Sequence, residues 1–164
     1  MKLARFERLA PFLVLAVFAT ALLTACGGPV RRINPPGASI QKLVVREDGS
    51  LTLHLRLQNF SDVSTRFGSF DGGLYIAGTD AGPLKVAIDL DVPAHAAEVF
   101  ETKFVPEAAA REALAAAFEA RKRSGAGVAY RLVGTAVITE PSDSFEIEYE
   151  SELSPVPGIP GEYR

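Results

Sequence analysis

Few side chains in this 164-residue sequence stand where their types and spacing could do chemistry. His54 and His95 lie far apart with no cysteine near either, a poor basis for a zinc site, which takes clustered Cys, His or carboxylate ligands. Asp89 and Asp91 share one face of a candidate strand. Such a pair could serve as acid and base or ligate calcium, although a solvated stripe is the plainer reading. Glu146, Glu148, Glu150 and Glu152 recur with period two and could bind cations, or mark an acidic edge strand that resists pairing with another sheet. Residues 68–82 are rich in glycine but follow neither the Walker pattern nor the dinucleotide fingerprint. The serines stand outside any nucleophile elbow. These residues point to a non-enzymatic protein with no catalytic set, no metal, no cofactor and no evident small-molecule substrate.

One residue does carry chemistry. Cys26 is the single cysteine of the chain, and it closes an apolar run. Lys2, Arg5 and Arg8 precede an uncharged stretch over residues 9–25 that includes Phe12, Leu13, Val14, Leu15, Val17 and Phe18. A membrane-spanning helix needs about 20 apolar residues, slightly more than this run offers. A basic start, a short apolar centre and small residues at the exit describe a secretory signal, with an uncleaved signal anchor as the alternative. Leu23-Thr24-Ala25-Cys26 then resembles the bacterial lipobox. The resemblance implies that the Cys26 sulfur receives a diacylglycerol thioether and that residues 1–25 are removed as a lipoprotein signal peptide. Gly27 follows, where an aspartate would mark retention in the inner membrane, so the expected place is the outer membrane, at its periplasmic face. With no second cysteine, the exported domain has no disulfides, and its fold rests on its core.

Removing 25 of the 164 residues leaves 139. Three of the 17 basic and one of the 20 acidic side chains leave with them, so the formal charge falls from −3 to −5. Nucleic acid and anionic lipid both select for basic excess, so neither is an expected electrostatic partner. A chain of this length fits one domain. Residues 26–37 read as a lipidated tether, since Pro29, Pro35 and Pro36 block helix and sheet ladder alike. Fully extended, the eleven residues from Gly27 to Gly37 would reach on the order of 35 Å.

The elements that follow have period two. Leu51, Leu53, Leu55 and Leu57 alternate with Thr52, His54, Arg56 and Gln58, which predicts a strand with one buried face after the Asp48-Gly49 turn. Residues 39–47, 84–92, 100–104 and 145–149 also read as strands, and residues 70–77 as a weaker one interrupted by Gly72 and Gly73. Residues 128–139 are apolar on both faces, as in a central strand. Residues 106–123 predict one crossover helix, with Pro106 at its first position and Ala110, Leu114 and Phe118 on its inner stripe. Glu107 at its start and Arg121, Lys122 and Arg123 at its end suit the helix dipole. The expected fold is mainly β, an immunoglobulin- or fibronectin-III-like sandwich of about seven strands over residues 38–153. Pro155, Pro157 and Pro160 predict a disordered tail over residues 154–164.

The order of these elements resembles the type 2 late embryogenesis abundant family, also called the water stress and hypersensitive response domain, over residues 40–153. The resemblance rests on the alternating strand ending in Asn59-Phe60-Ser61, where the family reads Asn-Pro, and on the glycine-marked strand Leu74-Tyr75-Ile76-Ala77-Gly78. It continues through Val92-Pro93-Ala94 and a helix leading into the strand at residues 130–134. It implies a sandwich fold and a protective role in desiccation or other stress, exerted on client proteins or membrane surfaces. The alternative is a binding module for envelope assembly or transport, working through a strand edge or loop tips.

Overall fold

The structure is a computed structural model that describes residues 31–164. The readings on the signal peptide and on Cys26 lie outside the described residues. The elements run β1 (Gly37–Val45), β2 (Leu51–Gln58), β3 (Thr65–Ile76), β4 (Thr79–Val92), β5 (Ala97–Phe104), α1 (Ala108–Ser124), β6 (Val128–Glu140), β7 (Ser142–Leu153) and β8 (Glu162–Tyr163). They form two antiparallel four-stranded sheets, ordered β5-β2-β1-β8 and β4-β3-β6-β7. Among the described residues this is a mainly β sandwich of the fibronectin-III-like kind, with eight strands and one helix, which is inserted between β5 and β6.

The alternation of β2 explains why it lies between β1 and β5. Leu51, Leu53, Leu55 and Leu57 are all buried, and they meet Leu43, Phe67, Leu74 and Leu132 in the core. Burying a leucine side chain stabilises by roughly 1.5–3 kcal/mol, so this stripe holds the strand to its face. Thr52 departs from the expected pattern: it is buried although it points away from the leucines, and its Oγ1 accepts a 2.9 Å bond from Arg46 Nε. β6 is central, pairing with β3 on one side and β7 on the other, but only one of its faces is buried; the other carries Arg131, Thr135 and the exposed Val137. β7, with its glutamates, is an edge strand.

Three further expectations need correction. β3 is not interrupted at Gly72 and Gly73; it runs through both, because Gly72 pairs with Gly134 on β6. A Cβ on Gly72 would run into the Val133 carbonyl and stand 2.7 Å from the Gly134 Cα, so only glycine allows this approach. The helix starts two residues late. Glu107 is its N-cap in an extended conformation, and Pro106 lies outside it. The Glu107 amide instead donates to Ala81 O at 3.0 Å, which ties the start of α1 to β4. Gly125 closes the helix with φ 69° and donates to Arg121 O at 2.7 Å.

The third correction concerns residues 154–164, which are ordered. Ser154 and Arg164 exchange backbone bonds of 2.6 and 2.8 Å, and β8 pairs with β1 at Leu43 and Val44. The prolines shape a turn here, with Gly158 and Gly161 at positive φ, and the turn delivers Tyr163 to the core. The Tyr163 ring packs 5.8 Å from that of Phe118. Burial of one aromatic side chain supplies what a proline-rich segment otherwise lacks.

Candidate functional site

The residues singled out for chemistry do not converge. His54 sits on β2, mostly buried, with Nε2 3.6 Å from Glu101 on β5. Burial, and then the charge of Lys42, hold its pKa below the ordinary histidine value. His95 occupies the β4–β5 turn at φ 56°, with Nε2 3.1 Å from Asp62. Among the described residues no three His, Cys, Asp or Glu side chains are grouped to hold a metal ion.

Asp89 and Asp91 are adjacent on the outer face of β4, but Arg66 on β3 occupies both. Its Nε lies 2.9 Å from an Asp89 oxygen and its Nη1 3.4 Å from Asp91. The hydrogen bond to Asp89 raises the pKa of the guanidinium further. A carboxylate pair clamped by arginine is poorly placed to exchange protons or to take calcium. On β7, Glu146 accepts from Thr135 Oγ1 at 2.9 Å and Glu148 faces Arg131 at 3.6 Å. Arg131 in turn stacks over Tyr75, 4.4 Å from the ring centroid. The acidic stripe is a solvated edge cross-linked to its neighbour.

Two structured ends remain. One holds the start of β1, the β2–β3 and β4–β5 loops and the β6–β7 turn. Buried Asn59 organises it. Its Nδ2 donates to Val63 O at 2.7 Å, Val92 O at 3.0 Å and Pro93 O at 3.1 Å, while its Oδ1 accepts from the Ser61 amide at 2.9 Å. The segment before β1 docks on the same loop. Asn34 donates from its amide to Ser61 Oγ at 2.9 Å and from Nδ2 to Phe60 O at 2.7 Å, and Arg32 exchanges bonds with Asp62. The last part of the expected tether therefore belongs to the folded domain.

The opposite end carries α1, the β1–β2 hairpin and the C-terminal turn. Between helix and hairpin lies a cleft of about 300 Å³ with a floor of Leu51, Leu114 and Phe118. Arg46 and Arg111 stand at its rim, each fixed by its Nε, to Thr52 Oγ1 at 2.9 Å and to Pro106 O at 3.0 Å. Neither has a carboxylate within ion-pair distance among the described residues. At the hairpin tip the Ser50 hydroxyl and amide, with Lys103, hold the Asp48 carboxyl well below the usual range. The helical stripe gave a signal for Leu114 and Phe118. The meeting of Arg46 with Arg111 has none, since it depends on where the helix packs.

No family model matches the chain, and no curated protein matches it. Solved structures similar to it include two with the following likeness. One is a crystal structure of a protein from Archaeoglobus fulgidus, 12% identical, covering 76% of this chain and 98% of that one at a TM-score of 0.42. The other is a solution structure of a protein from Arabidopsis thaliana, 16% identical, covering 78% of this chain and 81% of that one at a TM-score of 0.44. The fold is read from the strand pairing itself.

Proposed function

We propose that this chain is a bacterial lipoprotein, anchored through Cys26 at the periplasmic face of the outer membrane, whose sandwich acts by binding and not by catalysis. The observation that carries this reading is the lone Cys26 at the close of a signal-like run, six residues before a chain segment that docks on one end of the sandwich. Metabolic labelling with a fatty acid tests it. Cys26→Ser should abolish the label and leave an unprocessed precursor, whereas equal label on both proteins would sink the lipoprotein reading. Recovery of the protein in the inner membrane on density fractionation would contradict the outer-membrane assignment alone.

Within that reading, the resemblance to the type 2 late embryogenesis abundant family supports a protective role toward client proteins during drying or other stress. The purified domain should preserve a labile enzyme through drying better than an inert folded protein of equal size and charge. Crowding alone supplies only about 0.2–1 kcal/mol, which the control subtracts. A second reading, an adaptor for one envelope partner, is favoured by the cleft with Arg46 and Arg111 on its rim. Crosslinked capture from envelope extracts separates the two: one stoichiometric partner supports the adaptor, and broad weak recovery supports protection.

A further inference from the structure

We infer that Ile33 and Phe60 form a membrane seat: they rest in the interfacial zone of the bilayer that holds the Cys26 lipid, and so fix which way the domain points. The inference rests on the lipid anchor proposed above. Its first support is chain length. Asp62 and Ser61 hold Arg32 and Asn34 to the β2–β3 loop, with Arg32 N to Asp62 Oδ2 at 3.2 Å, Asp62 N to Arg32 O at 3.0 Å and Asn34 N to Ser61 Oγ at 2.9 Å. The free span from Cys26 to Arg32 is then six residue steps, on the order of 20 Å at full extension, well short of the roughly 35 Å a free tether would allow. This end of the sandwich cannot move far from the lipid surface.

The second support is what that end displays. Ile33 and Phe60 are 47% and 46% exposed, and they belong to segments bonded to each other through Asn34 Nδ2 and Phe60 O at 2.7 Å. Two exposed large apolar side chains on adjoining segments of one end are unfavourable in water, and an aromatic ring suits the headgroup level of a bilayer. Asp62 is the single acid among the loop residues 31–36, 59–64 and 93–96. Its carboxylate is already engaged, by the Arg32 amide and by His95 at 3.1 Å. Asp143 and Glu140, at the β6–β7 turn of the other sheet, lie at the same end and are exposed. They would be repelled by anionic headgroups, so the domain tilts onto its β1–β2 corner. Strands of 12 residues, such as β3 and β7, span about 40 Å. The α1 cleft is at the far end of them and faces away from the membrane.

The chain contains no tryptophan, so a single substitution supplies a unique fluorescent probe. Phe60→Trp, Ile33→Trp and, as a control at an exposed position on the edge strand β7, Tyr149→Trp would be made in the full chain, matured in cells and reconstituted into phosphatidylethanolamine–phosphatidylglycerol vesicles. Brominated lipid in the vesicles should quench the probes at positions 60 and 33 several-fold more than the control probe, and the same two should be shielded from acrylamide. If the two tip probes are shielded from acrylamide but not quenched by brominated lipid, a protein or a second copy covers this tip and the membrane seat is wrong. If acrylamide reaches them freely, nothing covers the tip and the seat is equally wrong. Vesicle-bound protein bearing the fatty-acid label but showing either of those patterns overturns the seat alone, while protein without label overturns the anchor and the seat together. Two probe positions keep the test decisive should one variant fail to fold.

Discussion

The Tyr130 hydroxyl on β6 occupies both backbone hydrogen-bonding positions of Ile40 on β1, accepting from the amide at 3.0 Å and donating to the carbonyl at 3.2 Å. The bond crosses the core from one sheet to the other. β1 is irregular between Ile40 and Lys42, and β8 covers it only at Leu43 and Val44, so Ile40 takes its partner from the opposite sheet.

Tyr130→Phe leaves both Ile40 groups buried and unpaired. Unsatisfied buried groups cost about 1–3 kcal/mol, and chemical denaturation should register a loss in that range. Burial pushes the phenol up to about 12. A folded pKa raised above the unfolded value of 10 contributes stability that is complete below pH 10 and is lost as pH rises toward 12. Wild-type stability should therefore fall across that window more steeply than that of Tyr130→Phe. Parallel curves would refute the coupling.

Asn59 holds three loop carbonyls and one amide in a buried position. Asn59→Ala should destabilise by at least about 2 kcal/mol, since several groups lose their partner at once. Asn59→Asp keeps the size but sets a carboxylate against carbonyl oxygens. Relative to wild type it should be more stable at pH 4 than at pH 7, because protonation restores a donor. Urea midpoints at the two pH values would decide this.

The Gly72–Gly134 pair lies beneath the Phe70 ring, whose Cζ would stand 2.8 Å from a Cβ on either glycine. Gly72→Ala should cost at or above the roughly 1–3 kcal/mol of ordinary overpacking, because the obstacle is backbone. Gly49, with φ 76° and open space around it, provides the contrast. Gly49→Ala should cost only the left-handed penalty of roughly 1–2 kcal/mol. Equal thermal shifts for the two variants would mean that β3 and β6 can separate cheaply.

Burial, and then the charge of Lys42, hold the His54 pKa below the ordinary histidine value. With a folded pKa below 6.5, the unfolded chain binds the proton first, so acidification from pH 7 toward 5 lowers stability. His54→Gln should make the loss over that interval shallower. An unchanged slope in matched denaturation series would show that Glu101, 3.6 Å away, compensates in full.

Much of the fold was legible in short-range pattern. The Leu51–Leu57 alternation named its strand and its inward face, the stripe of Ala110, Leu114 and Phe118 named the helical contact, and the glutamates of β7 marked an edge. Each rests on the geometry of a single segment, where side chains repeat every 2 or 3.6 residues whatever the rest of the chain does. The anchoring chemistry expected of Cys26 was likewise a matter of local order alone. Tertiary structure decided the rest. Arg66 claims Asp91 because the β3–β4 register sets the two opposite each other, and Asp89 because the irregularity in that register falls beside it, while Gly72 passes Gly134 only because β3 pairs with β6. Tyr163 orders a proline-rich tail that composition had marked as disordered, since β1 and Phe118 offer it a place in the core. Tyr130 reaches Ile40 across 90 residues of sequence. Pairings of this kind depend on where distant segments meet, and no local periodicity encodes that.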